Sequence, residues 1–170
     1  MTAADKATLA QLEARPLTMP PLLSGGQCGP DGVDPATGLY GKDPVYAEGG
    51  PHVASTFGDY FDVSAKTKPG LVGPVLLRGR DLKVANHPLV FVGPYATGPV
   101  YGTDPAEGTQ YTELVLDTAH PTNATYPINN TEYVEWNWRQ GIAKGWSYCV
   151  GFQIDGPTFS ETFTANVPPG

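Results

Sequence analysis

The chain has 170 residues, among them 21 glycines and 18 prolines, with 40% hydrophobic and 16% charged side chains. That length suits one domain with a real core, and the composition is too apolar and aromatic for disorder yet too rich in Gly and Pro for a helical protein. A net charge of −7 argues against nucleic acid or an anionic membrane as partner, and no apolar run approaches the ~20 residues that span a bilayer.

Thr2–Ala14 reads as the one convincing helix. Thr2 and Asp5 match the S/T-x-x-D/E capping pattern, Ala7, Leu9, Ala10 and Leu12 give a thin apolar stripe, and Pro16 ends it. So short a helix is marginal alone: it is either a frayed tail or a piece that docks, a neighbouring copy included. Arg15–Leu23 (RPLTMPPLL) is extended by its prolines. Residues 1–23 therefore form a helix and arm, and residues 24–170 a single β domain. Met1–Arg15 has no apolar h-region. Two origins stay open, a start downstream of a removed signal or a protein that is never exported.

Ser24–Gly50 carries Gly-Gly, Gly-Pro, Asp-Gly and Asp-Pro steps and reads as turns and loop. Asp31, Asp34 and Asp43 lie in it, but their spacing does not match a calcium loop. Phe57–Val63 is a strand candidate. Leu71–Arg80 is a clear strand region, and its run Val75-Leu76-Leu77 suits a strand covered on both faces. Asp81–Asn86 and Leu89–Val92 give further strand material, and Gly93–Gly108 reads as loop. Tyr111–Asp117 alternates, with Leu114 and Leu116 on the core side. Ala119–Asn130 is a polar loop with N-x-S/T sequons at Asn123 and Asn129. Tyr133–Trp138 alternates again, and Gln140–Lys144 reads as a turn. The last hairpin follows within Gly145–Phe163: Tyr148, Val150, Phe152 and Ile154 on one face, Cys149, Gly151 and Gln153 on the other. A turn at Asp155-Gly156, lengthened by Pro157, leads into Phe159–Thr164.

About seven or eight short strands with no helix between them close most naturally as an all-β sandwich with Greek-key connections. A jelly roll or partly open barrel is the second choice.

Chemistry is sparse. Cys28 and Cys149 are not in a CxxC pair, which excludes a standard zinc or iron–sulfur site. They are either buried thiols or one disulfide. His52, His87 and His120 fall in separate proline-flanked loops, and no metal, cofactor or catalytic residue is expected. The nearest acid pairs, Asp59/Asp62 and Glu132/Glu135, are spaced i, i+3, so on strands their members face opposite ways. Tyr133, Trp136 and Trp138 form the most suggestive ligand-binding cluster, because two indoles share one strand face and flat rings stack on sugars; the alternative is that they are core. Arg78 and Arg80 flank Gly79 on an apolar strand and are each placed to pair with an acid or a carbonyl.

Three islands of sequence carry a resemblance: Arg15-Pro16-Leu17 with Cys28, Gly73–Gly79 (GPVLLRG), and Cys149–Phe159. In these the chain resembles a group of uncharacterised bacterial extracellular or lipoprotein domains. The resemblance spans about 50 residues, and SYCVGFQ departs from the group's pattern, in which the cysteine directly follows a glycine. It implies an immunoglobulin-like sandwich and a Cys28–Cys149 bridge, and it implies no activity. The expected function is a non-catalytic extracellular domain for adhesion, envelope or assembly, a virion-surface or filament subunit included. Its partner would be a protein or a second copy engaged through the N-terminal arm. The alternative is a carbohydrate-binding module or glycan-active enzyme using the tryptophan strand.

Overall fold

The run Val75-Leu76-Leu77 does form a strand buried on both faces. In a computed structural model, residues 1–54, 58–85, 87–104, 108–143 and 147–166 are described; for 49–54, 58–62, 102–104 and 139–143 this covers the backbone alone. After helix α1 (Ala3–Glu13) come the strands β1 (Tyr40–Lys42), β2 (Val45–Ala54), β3 (Gly58–Thr67), β4 (Val75–Asp81), β5 (Val90–Val92) and β6 (Ala96–Asp104). They are followed by β7 (Gly108–Leu116), β8 (Thr125–Ile128), β9 (Thr131–Ala143), β10 (Cys149–Gly156) and β11 (Phe159–Asn166).

The fold is the expected all-β sandwich: two antiparallel layers with one short N-terminal helix. One hydrogen-bonded path runs β1-β2-β3-β9-β5-β7-β4-β10-β11, with β6 added to β7 and β8 to β9. The short strand β5 pairs with both β9 and β7, and there the path turns from one layer to the other. The two ends of the path then meet. Gly32 donates to the Thr164 carbonyl of β11 and accepts from the Gly41 amide of β1. Tyr40, Phe163 and Phe152 stack in series with centroid separations of 5.7 and 5.0 Å. Inward-facing residues of both layers fill one core: Val45, Ala65, Trp136 and Trp138 from one side, Val75, Leu77, Leu114, Leu116, Val150, Phe152 and Ile154 from the other. Leu114 and Leu116 are on the core side, as their alternation predicts.

Eleven strands are described where seven or eight were expected. The additional ones lie in segments that read as loop from their Gly and Pro content. β1 and the first part of β2 lie in Ser24–Gly50, β6 tolerates Gly98 and Pro99 through register shifts against β7, and β8 forms a short hairpin with β9. Strand β9 continues through the segment read as a turn at 140–143, because β3 pairs with it as far as Ala143. Lys144, Gly145, Phe57 and Asn86 lie outside the described residues. Leu82–Ala85 is a bend rather than a strand, since the Asp81 carboxylate accepts from the amides of Lys83 and Val84 and curls the chain.

The terminal hairpin is displaced from its predicted turn. Gly156 pairs with Phe159 and Asp155 with Ser160, so the two-residue turn is Pro157-Thr158. Proline suits the first central position of a tight turn, where its fixed φ is an advantage. Asp155 is thereby left inside a strand, completely buried.

Candidate functional site

A buried aspartate in a strand needs partners, and the N-terminal arm supplies them. The residues Gly151, Gln153 and Asp155 face outward on β10, and the arm lies across them in the opposite chain direction. Thr18 donates its amide to the Gln153 side chain, whose Nε2 donates to the Pro16 carbonyl (3.3 Å) and to the Asp155 carboxylate (2.8 Å). Gly151 is the close-approach point. A Cβ there would stand 2.8 Å from the Met19 sulfur and 2.7 Å from Leu82 Cδ2, so only glycine lets the arm lie flat.

Two arginines complete the anchor. Arg78 projects outward from β4 and donates Nη2 to Asp155 Oδ2 at 2.9 Å. Nη1 and Nη2 also reach the carbonyls of Leu12, Glu13 and Arg15 at 3.2–3.5 Å, and Nε is buried without a hydrogen-bond partner among the described residues. Those carbonyls lie at the end of α1, where a cation meets the negative end of the helix dipole; the Leu12 carbonyl also accepts the Arg15 amide at 3.0 Å. No basic residue lies in the last turn of α1, so the sheet provides the charge that the helix lacks. Arg15 reaches the other way, to Asp155 Oδ1 at 3.4 Å and to the carbonyls of Gly156, Phe159 and Pro157 around the hairpin turn. Leu9 and Leu12 pack on Leu76 and Val115 beside this network. The Thr2–Asp5 capping box forms as the sequence predicts.

Beyond the arm, the Cys28–Cys149 disulfide bolts the chain to the start of β10, with a Cα–Cα distance of 5.7 Å and a sequence separation of 121. The next residues line the β11 edge. Asn166 donates to the Asp31 carboxylate and to the Gly29 carbonyl. Below the bolt, Asp81 accepts from Ser147 Oγ and from the amides of Ser147, Lys83 and Val84. Burial pushes its carboxyl pKa up, but these hydrogen bonds outweigh burial and hold it below its ordinary value.

The opposite outer face is built differently. Lys66 of β3 is completely buried, with its ammonium 2.6 Å from Glu48 of β2, 3.4 Å from Glu135 of β9, 4.5 Å from the ring centre of Tyr126 and bonded to Ser64. Beside it Leu39, Tyr46, Ile128 and Tyr133 form a second apolar cluster. The Tyr133 hydroxyl donates to Asp43, which also pairs with Lys68 at 2.9 Å. Burial, then the hydrogen bond and charge of Asp43, push the Tyr133 phenol well above its ordinary value. For Asp43 burial acts upward, and the bonds from Tyr133 and Lys68 prevail, so it titrates low.

The expected ligand-binding cluster does not make a platform. Trp136 and Trp138 share a face, as alternation requires, but it is the core face. Trp136 is 1% exposed, donates to Thr67 Oγ1 at 2.9 Å and packs edge-on against Tyr95, while Trp138 lies against Phe91. Tyr133 points to the other side of β9 and is buried in the second cluster. Stacking on a sugar needs an open ring face, and these three rings are covered.

The remaining candidates do not converge. Among the described residues no three His, Cys, Asp or Glu side chains are grouped to hold a metal. Asp31, Asp34 and Asp43 each hold a different piece of backbone or side chain: the Asn166 amide, the Ala36 amide and Tyr133. His120 pairs with Asp117 at 3.0 Å on the surface. The side chains of His52, Asp59 and Asp62 lie outside the described residues. Asn123 and Asn129 are both exposed.

The anchor and the disulfide join the three islands of sequence: Arg15, Arg78, Gln153 and Asp155 meet on the outer face of β10 towards its end, and Cys28 and Cys149 at its start. The resemblance implied the Cys28–Cys149 link between the first and third islands, but the pairing of Arg78 and Arg15 with Asp155 was not foreseen. The signal that joins them is a charge inside an apolar strand, Arg78 in VLLRGR and Asp155 in FQIDG, since each must be paired if buried. Comparison with family models, curated proteins and solved structures gives no significant match.

Proposed function

We propose that this protein is a non-catalytic extracellular structural or interaction domain, one that serves adhesion, an envelope or an assembly. The observation that carries this reading is the anchor. Arg78, Asp155, Gln153 and Arg15 are spent on each other and on backbone carbonyls, so the most concentrated polar chemistry described in the chain holds a segment in place. A long-range disulfide beside it belongs with an oxidising compartment. Among the described residues no helix is long and apolar enough to cross a membrane. Kinship with the extracellular domain group, through the same three islands, is part of this reading.

The compartment is tested in cells of the source organism by fractionation and by intact mass after alkylation with and without reductant. A surface-accessible protein with both cysteines oxidised is expected. Free Cys28 and Cys149 in the cytoplasm would overturn the extracellular reading. Turnover of a panel of glycoside substrates, or specific retention on a glycan array, would overturn the non-catalytic one in favour of a glycan-directed role.

A further inference from the structure

The partner can be named from the way the arm is held, on the footing of the assembly reading above. We infer that the arm is exchangeable between copies of this chain, so that residues 1–23 of one copy seat on the β4–β10 face of a second.

Three features of the geometry converge on this. The face reads the arm itself: Arg78 binds the carbonyls of Leu12, Glu13 and Arg15, Gln153 brackets Pro16 and Thr18, and Asp155 receives Arg15. Every copy carries both halves of this match. An exchanged arm makes the same bonds as one folded back on its own chain.

The hinge is the second feature. Leu23–Gln27 is a tight turn closed by two backbone bonds, Gly26 amide to Leu23 carbonyl at 3.1 Å and Leu23 amide to Gln27 carbonyl at 2.9 Å. Its centre, Gly25 and Gly26, holds φ of +76° and +73°, with no atom within 4 Å of where a Cβ would be. Residues 23–27 are all exposed. Opened out, residues 24–27 reach about 13 Å.

The third feature is the bolt. Cys28–Cys149 sits just beyond the hinge and fixes the point from which the arm departs, so the arm opens as a unit and the core stays closed. The closed and exchanged forms then differ in the hinge and in the entropy of association. Concentration and hinge length decide between them.

The test is a full chain lacking Gly25 and Gly26, which cannot make the turn. Light scattering across a concentration series is expected to give a doubled mass where the parent chain is monomeric. Mixing isotopically labelled and unlabelled variant is expected to give a hybrid dimer by native mass spectrometry, and adding Arg15→Ala is expected to shift the variant back towards monomer. A deletion variant that stays monomeric at every concentration overturns the exchange, and so does a dimer indifferent to Arg15→Ala. Should the deletion variant fail to fold, the parent chain is used, as labelled and unlabelled pools warmed together at high concentration; hybrid dimers support exchange, and their absence overturns it. A parent chain that forms oligomers untouched by either change removes the exchange and leaves the assembly reading standing.

Discussion

The two outer faces of the sandwich both bury one cation against carboxylates, yet they are covered in opposite ways. On the β4–β10 face Arg78 is held by Asp155 and by three carbonyls of the arm, more than sixty residues away in sequence. On the β2–β3–β9 face Lys66 is held by Glu48 and Glu135, its neighbours on adjacent strands. The guanidinium fork binds several acceptors at once and joins segments distant in sequence, whereas the ammonium is a point charge that Glu48 and Glu135 on the adjacent strands enclose. The arginine face also carries a covalent bolt; the lysine face is closed by its own hairpin, β8 and β9. One face is therefore an assembled joint, the other a finished surface.

The largest effect expected is at the bolt. Closing a loop of this length constrains the unfolded chain, and Cys28→Ser with Cys149→Ser is expected to cost about 4–5 kcal/mol in the chain-entropy description. Denaturant titration of the double variant beside the parent measures it. A change under about 1 kcal/mol would mean that the arm face stands without its bolt.

Next is Asp155→Ala. It strands Arg78 beneath the arm, and breaking a buried pair from one side costs about 3–5 kcal/mol. Limited proteolysis should show new cleavage in the arm, since Arg15 and Gln153 lose a partner as well. Lys66→Ala is expected to cost less, about 1–3 kcal/mol, because Glu48 and Glu135 both reach solvent and can be rehydrated. Equal losses for Asp155→Ala and Lys66→Ala in the same titration would erase the distinction between joint and surface.

Smaller still is Thr2→Ala, which removes the capping box of α1 for about 1 kcal/mol. Thermal melts should show that loss only while the arm is seated.

Acid acts alike on a further pair. Asp81 and Asp43 both have folded pKa values below their ordinary 3.8. Each therefore contributes stability that is present above that unfolded value and is lost as pH falls through the lower folded one. Stability curves of the parent and Asp81→Asn should be far apart at neutral pH and converge in acid. Parallel curves would contradict the hydrogen-bond account of Asp81.

Much of the sandwich was legible in the sequence. Alternation located β7, β9, β10 and β11, and an unbroken apolar run located β4. What was not legible depended on partners far away. Asp155-Gly156 carries the strongest local turn signal in the hairpin, yet Arg78 and Arg15 draw Asp155 into the strand and move the turn to Pro157-Thr158. β6 and β8 read as loop because Gly and Pro mark turns locally, while a neighbouring strand can still recruit such a segment to its edge. The tryptophans were placed together on one face of β9, but alternation does not say which face is the core. The arm was open between frayed tail and docking piece, and the answer lay in two charges that only tertiary pairing explains.

The central claim is that residues 9–19 are part of the fold, held on β10 by Arg78, Asp155 and Arg15. Amide hydrogen exchange measures this directly. The account predicts slow exchange at Thr18 and through the second half of α1, collapsing in Asp155→Asn while the β2–β3–β9 layer stays protected. Arm amides that already exchange in the parent chain at the rate of an unstructured peptide would contradict it.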